Sequence, residues 1–328
     1  MATRGGVIRA LIGFAVSIVT IWVIVHGVDL GRVAGILGTA NPTWLALMFG
    51  CVVLDLTFRS IRWQRLLAPV HLVPVRRTML YLLVGYLANN VLPARLGELV
   101  RCHYLGDREG ISRTTTLGTV VVERVVDTAV VVSIASLAIV VLQVRGLVAS
   151  AVLFGLAVTA LGVVLLAVLI TAHRLPGADR IVAFAERWPR VAEIGRKLHG
   201  GLAVAGKPRT LVEALLLSGL AWGATVVSFA AAGQAIGVEL TTAQAALLAS
   251  GVALATAIPA GPGNLGTFDL AGVLIASSFG LDREKAIALI VLAHAASIIV
   301  TSIGGAGALI RLGWTPSAAN AVSEAEPG

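Results

Sequence analysis

The stretch Gly85-Tyr86-Leu87-Ala88-Asn89-Asn90-Val91-Leu92-Pro93-Ala94-Arg95-Leu96-Gly97-Glu98 decides how this chain must be folded. An apolar run opens into two asparagines, stops at Pro93, and is followed at once by Arg95, Gly97 and Glu98. Proline lacks the N–H that a helix interior needs, so the run breaks there. Residues 78–92 are too short to cross a bilayer comfortably, which takes about 20 apolar residues. Residues 96–105 then return to a loop carrying Asp107, Arg108, Glu109 and Arg113. The expected element is a re-entrant helical hairpin over residues 78–105. Its irregular tip is tolerable at membrane depth only where protein or water covers it.

The rest of the chain belongs in a membrane as well. Of 328 residues, 57% are hydrophobic and 13% charged, with a mean hydropathy of +0.93; soluble domains carry about 25% charged residues. The predicted class is an all-α polytopic membrane protein with about six full spans and two re-entrant hairpins. The spans cover residues 7–25, 43–58, 114–142, 147–172, 211–236 and 286–309. Arg4 and Arg9 precede the first apolar run and no small-x-small site follows it, so an uncleaved span is expected. The membrane part takes up nearly the whole sequence, so no soluble catalytic domain is expected within it.

The second hairpin covers residues 241–279, with Pro259-Ala260-Gly261-Pro262-Gly263-Asn264 as its tip. Residues 173–210 form the most polar loop. Its apolar positions, among them Ile181, Trp188, Ile194 and Leu198, suggest an amphipathic helix on the membrane surface. Residues 315–328 are Ala/Ser/Glu/Pro-rich and read as a disordered tail. Residues 1–142 thus run span, span, hairpin, span, and residues 147–310 repeat that order from the opposite side. This is an inverted repeat, the arrangement of many transporters.

Loop charges fix the orientation. With both termini in the cytoplasm and both hairpins re-entering, 20 basic residues lie inside and 4 outside. The count places Arg59, Arg62, Arg65, Arg76 and Arg77 in an inside loop, and the bias obeys the positive-inside rule. That topology accounts for the net charge of +8, and no nucleic-acid partner is expected.

Polar residues at membrane depth are candidates for function. Arg95, Glu98 and Arg101 follow one another at i, i+3 and i+6, on roughly one face. The start of their helix offers N–H groups to an anion, and Arg95 could grip phosphate bidentately. Asn89 and Asn90 stand at the same tip. Glu123, Arg124 and Asp127 lie inside an otherwise apolar span, where three charges cost about 8–10 kcal/mol on the insertion scale. They must face protein or water. Arg124 and Asp127, at i and i+3, can pair with each other or contact a headgroup; both readings stand. His294 sits at the corresponding depth of the last span, as a packing residue or a ligand contact, and Asn264 marks the second tip.

Gly261-Pro262-Gly263-Asn264-Leu265-Gly266 matches G-x-G-x-x-G, but no strand or βαβ unit surrounds it, so a dinucleotide site is rejected. These glycines are expected to allow close backbone approach. Cys51 and Cys102 are isolated thiols, no His/Cys/Asp/Glu set has metal-ligand spacing, and no cofactor is expected.

Asn-Asn-x-Leu-Pro-x-Arg-x-Gly-Glu from Asn89 to Glu98, Glu-Arg-x-x-Asp from Glu123 to Asp127, and Ile-Pro-Ala-Gly-Pro-Gly-Asn-Leu-Gly from Ile258 to Gly266 resemble the lysylphosphatidylglycerol synthase transmembrane family. That family includes the flippase half of the bacterial multiple-peptide-resistance proteins. The resemblance spans roughly residues 7–312. It implies a cell-membrane protein that moves a lipid with an anionic headgroup between leaflets. Fused members carry a soluble aminoacyl-tRNA-dependent transferase domain that this sequence lacks, so lipid synthesis is not implied.

Three functions are carried forward. The first is a flippase-like transporter of a phospholipid or polyprenyl-phosphate conjugate, without enzymatic activity. The second is a membrane-embedded enzyme on such a lipid, and the third a non-transporting partner of a lipid-modifying enzyme or glycosyltransferase. For the topology, a single cysteine at Gln143, in the turn between the two units, is expected to react with an impermeant thiol reagent from the extracytoplasmic face. Labelling from the cytoplasm alone contradicts the layout.

Overall fold

A computed structural model describes residues 18–24, 26–92, 96–171, 189–257 and 261–313. The helices are α1 (Leu30–Gly38), α2 (Pro42–Leu67), α3 (Val75–Val91), α4 (Gly97–Glu109), α5 (Arg113–Leu142) and α6 (Leu147–Thr171). After residue 188 come α7 (Pro189–Leu202), α8 (Pro208–Ala235), α9 (Thr242–Ala255), α10 (Thr267–Ser278) and α11 (Arg283–Leu312). No strand occurs among the described residues. Five helices there are long and apolar enough to cross a membrane, namely α2, α5, most of α6, α8 and α11. The chain is an all-α polytopic membrane protein.

Local chemistry sets the ends. Asn41 caps α2 by accepting the Thr43 N–H at 2.9 Å, with Pro42 in the first helical position, where its missing N–H costs nothing. Thr241 and Gln244 close a capping box at the start of α9. α4 ends at Gly110, whose φ of +67° suits glycine.

The expected second span stopped at Phe58, but α2 continues to Leu67. The physical reason is that its arginines face protein rather than water: Arg59 and Arg62 are buried and ion-paired. Together with Arg101, also buried, they drop out of the free inside charges. Of the expected first span, only residues 18–24 fall among the described residues, and these are helical. Residues 173–188 of the polar loop and the tail 315–328 lie outside them.

α7 is amphipathic as expected, yet it does not present its whole apolar face to a membrane. Leu198 and Leu202 pack with Leu66, Val122 and Val126, while Ile194 stays exposed. The crossing with α5 is glycine on glycine. A Cβ on Gly201 would stand 2.1 Å from the Thr115 carbonyl oxygen, and one on Gly118 would stand 2.6 Å from that of Leu198.

α2 and α8 form the central pair and run antiparallel, with Asn41 beside Ala235, Asp55 beside Thr225, Arg62 beside Ser218 and Arg65 beside Glu213. Around them the contacts come in matched sets. α3 packs on α11 as α9 packs on α5, α3 on α4 as α9 on α10, and α4 on α5 as α10 on α11. α1 against α11 likewise matches α7 against α5. The apolar core is split between α8, α9, α10 and α11 on one side and α2, α3, α4 and the start of α5 on the other.

Close crossings require small residues at chosen sites. Gly305 in α11 lies against α3, where a Cβ would come within 2.5 Å of the Leu87 Cβ and 2.7 Å of the Leu83 carbonyl oxygen. Gly307, two residues on, has open space. Gly305→Ala is therefore expected to destabilise the folded protein by about 1–3 kcal/mol through overpacking. Gly307→Ala should be neutral or stabilising by up to about 1 kcal/mol. Thermal unfolding of the two variants in detergent checks the contrast.

Candidate functional site: a charged cavity between two hairpin tips

A single face of α2 begins the site. Asp55, Arg59 and Arg62 follow at i, i+4 and i+7 and so project from one side of the helix. Arg59 Nε donates to both Asp55 oxygens at 2.8 Å, and its Nη1 reaches Asp127 Oδ2 at 3.0 Å. Arg62 is fully buried. Its Nη1 donates to Asp127 Oδ1 at 2.7 Å and to Ser218 Oγ at 2.5 Å, and its Nη2 to Glu123 Oε1 at 3.1 Å. Trp222 Nε1 adds a donor to Asp127 Oδ1 at 2.8 Å.

From α4, Arg101 stands 3.1 Å from Glu123 Oε2 and lies over the Trp63 ring at 4.6 Å. Arg59 similarly lies over Trp222, 4.9 Å from the ring centroid. Aromatic faces stabilise a cation where water is scarce. Four arginines, Arg59, Arg62, Arg101 and Arg124, thus meet four carboxylates, Asp55, Glu98, Glu123 and Asp127. Balance of this kind makes so many charges tolerable in an apolar chain, since an unpaired buried ion costs several kcal/mol.

Of the two readings left open for Arg124 and Asp127, the mutual pair does not form. Arg124 donates to Glu123 Oε1 at 2.7 Å and stands 3.5 Å from Glu98. Asp127 is held instead by Arg59 and Arg62. An i, i+3 pair within α5 loses because α2 brings two arginines against the Asp127 side of the helix. Exposure separates the roles further. Glu123 and Asp127 are buried at 1% and 5%, whereas the side chains of Arg124 and Glu98 are 40% and 31% exposed.

The open ends of this network border a cavity of about 250 Å³. Asp55, Arg59, Glu98, Arg101 and Arg124 line it, as do Asn89, Asn90, Asn264 and His294. Glu123 and Asp127 do not; they sit behind the arginines. Arg95 and its neighbours Pro93 and Ala94 lie outside the described residues, as do residues 258–260 of the second tip.

Both asparagines of the first tip are also structural. Asn89 Oδ1 accepts the Gly97 N–H at 2.8 Å, taking up a donor that the α4 start was expected to leave for an anion. Asn90 Nδ2 donates to Thr301 Oγ1 and Ser302 Oγ of α11 at 2.8 and 3.0 Å. α3 and α4 meet so closely that a Cβ on Gly97 would stand 1.9 Å from the Gly85 carbonyl oxygen. At the second tip, Gly263 and Gly266 adopt φ of +66° and +92°. Gly263 is needed for that backbone conformation more than for the close approach expected of it, since a Cβ there would meet only ordinary contacts at 3.5–4.0 Å.

His294 bridges Asp269 Oδ1 and the Gly263 carbonyl, each at 2.9 Å, and stacks on Phe268. Sequence reasoning missed Asp55, Trp222 and Asp269 and put Arg59 and Arg62 in a loop. The spacing of Asp55, Arg59 and Arg62 was the available signal. Among the described residues no cluster of His, Cys, Asp and Glu could hold a metal ion.

Fold and site together define a helical membrane protein with a charge-balanced cluster at the wall of a cavity that two interrupted helix pairs border. Residues 10–305 match the model of the lysylphosphatidylglycerol synthase transmembrane region, and the chain belongs to that family. It is also similar to a UPF0104 membrane protein of Methanocaldococcus jannaschii, 30% identical over 125 residues, which is 37% of each chain. The glycosyltransferase AglD of Haloferax volcanii is 25% identical over 338 residues, 92% of this chain and 54% of that protein. The chain thus spans about a third to a half of the length of these relatives.

Arg62 and Arg124 are expected to behave oppositely. Arg62→Ala strips Glu123 and Asp127 of a buried counter-ion and should cost about 3–5 kcal/mol. Arg124→Ala removes a half-exposed side chain whose bridge to Glu98 should contribute only about 0–1 kcal/mol, and it leaves buried Glu123 with Arg62 and Arg101 as counter-ions, so its cost should be the smaller. Thermal stability of the two purified variants provides the comparison.

Proposed function

We propose that the protein is a flippase-like transporter that moves a phosphate-bearing lipid, unchanged, between the leaflets of the cell membrane. The observation that carries this is the cavity edge formed by Arg101 and Arg124. Arg124 is the most exposed arginine of the cluster, with 40% of its side chain accessible, against 5% for Arg101. An accessible guanidinium suits a phosphate, which accepts bidentately from its planar fork. Glu98, the most exposed carboxylate of the set, would yield Arg124 to such a ligand.

The matched contacts of residues 30–142 and 189–312, with counterpart helices α2 and α8 antiparallel, support an inverted repeat. In that reading α3–α4 and α9–α10 are re-entrant hairpins entering from opposite faces, and both termini are cytoplasmic. Their tips share the cavity, so a headgroup held there would stand between two access routes. The lipid tails would remain in the bilayer.

The similarity to a glycosyltransferase favours a polyprenyl-phosphate conjugate among the phosphate-bearing lipids. It equally motivates a second reading, in which the chain serves as the membrane partner of a lipid-modifying enzyme or glycosyltransferase. Reconstitution into vesicles separates the readings. Purified protein is expected to expose a headgroup-labelled lipid to an external quencher without altering its mass. Arg124→Ala should abolish this movement, and Arg124→Lys, which keeps charge but loses the planar fork, should recover little of it. Chemical conversion of the lipid, or no movement by folded wild-type protein, overturns the proposal.

A further inference from the structure

The tip of the second hairpin is closed by a ring of hydrogen bonds. The Gly266 N–H donates to Asp269 Oδ2 at 2.9 Å, and Asp269 Oδ1 faces His294 Nδ1 at 2.9 Å. His294 Nε2 in turn faces the Gly263 carbonyl oxygen at 2.9 Å. The ring therefore leaves the tip at Gly266, passes through α10 and α11, and returns to the tip at Gly263.

A neutral imidazole has one N–H and one bare nitrogen. Here both ring nitrogens face oxygens that accept, a carboxylate and a carbonyl. Only a doubly protonated ring satisfies both contacts while Asp269 stays ionised. His294 is 5% exposed, so its two ring nitrogens are committed to these two protein contacts. The Phe268 ring covers one face at 4.0 Å between centroids with an interplanar angle of 17°, an arrangement that favours a cation. Among the described residues, the remaining titratable or charged groups on the shared cavity wall are Asp55 and Arg59 from α2, Tyr86 from α3, Glu98 and Arg101 from α4, and Arg124 from α5. Apart from Tyr86 they are tied up in the ion pairs described above or in Glu98–Arg124. Asp269 is the carboxylate that touches the ring. α1 presents Arg32 to the far end of α11, where it pairs with Asp282 and Glu284.

We propose that His294, Asp269 and the Gly263 carbonyl form a proton-binding site that locks the second hairpin tip against the cavity. With the proton bound, imidazolium and carboxylate pair and Nε2–H holds Gly263. When the proton leaves, a nitrogen lone pair meets an oxygen lone pair and one end of the ring opens. Gly263 and Asn264 line the cavity, so release of the proton loosens the wall on the second-hairpin side. The ligand of this site is a proton, and it is defined whatever lipid the cavity accepts.

The test uses Leu265, beside the tip and 42% exposed. Cys51 and Cys102 are buried, so the native chain serves as the background. The rate at which Leu265→Cys reacts with a maleimide is compared, across pH 5–8, with that of Leu265→Cys/His294→Gln. Dividing the two rates cancels the pH dependence of the thiol itself. The ratio is expected to rise about tenfold from low to high pH, the population shift that loss of one buried hydrogen bond produces. Asp269→Asn provides a second reference should His294→Gln fail to fold. Histidine-selective ¹⁵N NMR should show both His294 ring nitrogens protonated at the acid end. A ratio independent of pH, or a neutral His294 ring at pH 5, overturns the proposal. Neither readout involves lipid transport, so its failure and a failure of the transport reading are distinguishable.

Discussion

Arg62 is the interaction on which the rest of the structure depends. It is fully buried, and it donates at once to Asp127, to Glu123 and to Ser218. Those three partners come from α5 and α8, so one guanidinium fastens three of the long helices together. In a bilayer such a contact is decisive, because the hydrophobic effect gives helices no reason to prefer one another over lipid tails. What discriminates one helix arrangement from another is polar satisfaction and close backbone approach. Both are present, the first in the arginine–carboxylate cluster and the second at Gly97, Gly118, Gly201 and Gly305.

The cluster divides into a sealed half and an open half. Arg62, Glu123 and Asp127 are enclosed and hold helices; Arg124 and Glu98 are partly exposed and border the cavity. The division follows from position on α5. Glu123 and Asp127 are four residues apart and face the α2–α8 pair. Arg124, rotated by about 100° from Glu123, points past them towards α4 and the cavity. A single short stretch thus supplies both a structural lock and a candidate contact for an anionic headgroup.

The two hairpin tips are stabilised by different chemistry. The first relies on side-chain amides, with Asn89 holding Gly97 and Asn90 reaching two hydroxyls of α11. The second relies on an ionisable pair, Asp269 and His294, acting on two glycines of the loop. Neutral amides thus hold one tip and a carboxylate–imidazole pair the other, even though the helices on the two sides of the cavity pack in matched sets.

Sequence alone determined the membrane class, most of the long apolar helices and the breaks between α3 and α4 and between α9 and α10, because length, apolarity and proline act locally. It also marked Glu98, Arg124 and His294 as expensive residues needing a reason. It did not determine who pairs with whom. Asp55, Arg59 and Arg62 looked like the end of a span running into a basic loop, and only the approach of α5 and α8 turned them into the interior of a helix. Asp127 was open to pairing with Arg124 or to contacting a headgroup, yet two arginines more than sixty residues earlier in the chain hold it. Asp269 became significant only when α11 brought His294 beside it. A charge in a low-dielectric interior is neutralised by whichever counter-charge lies nearest in space, and nearness in space is set by the packing of whole helices.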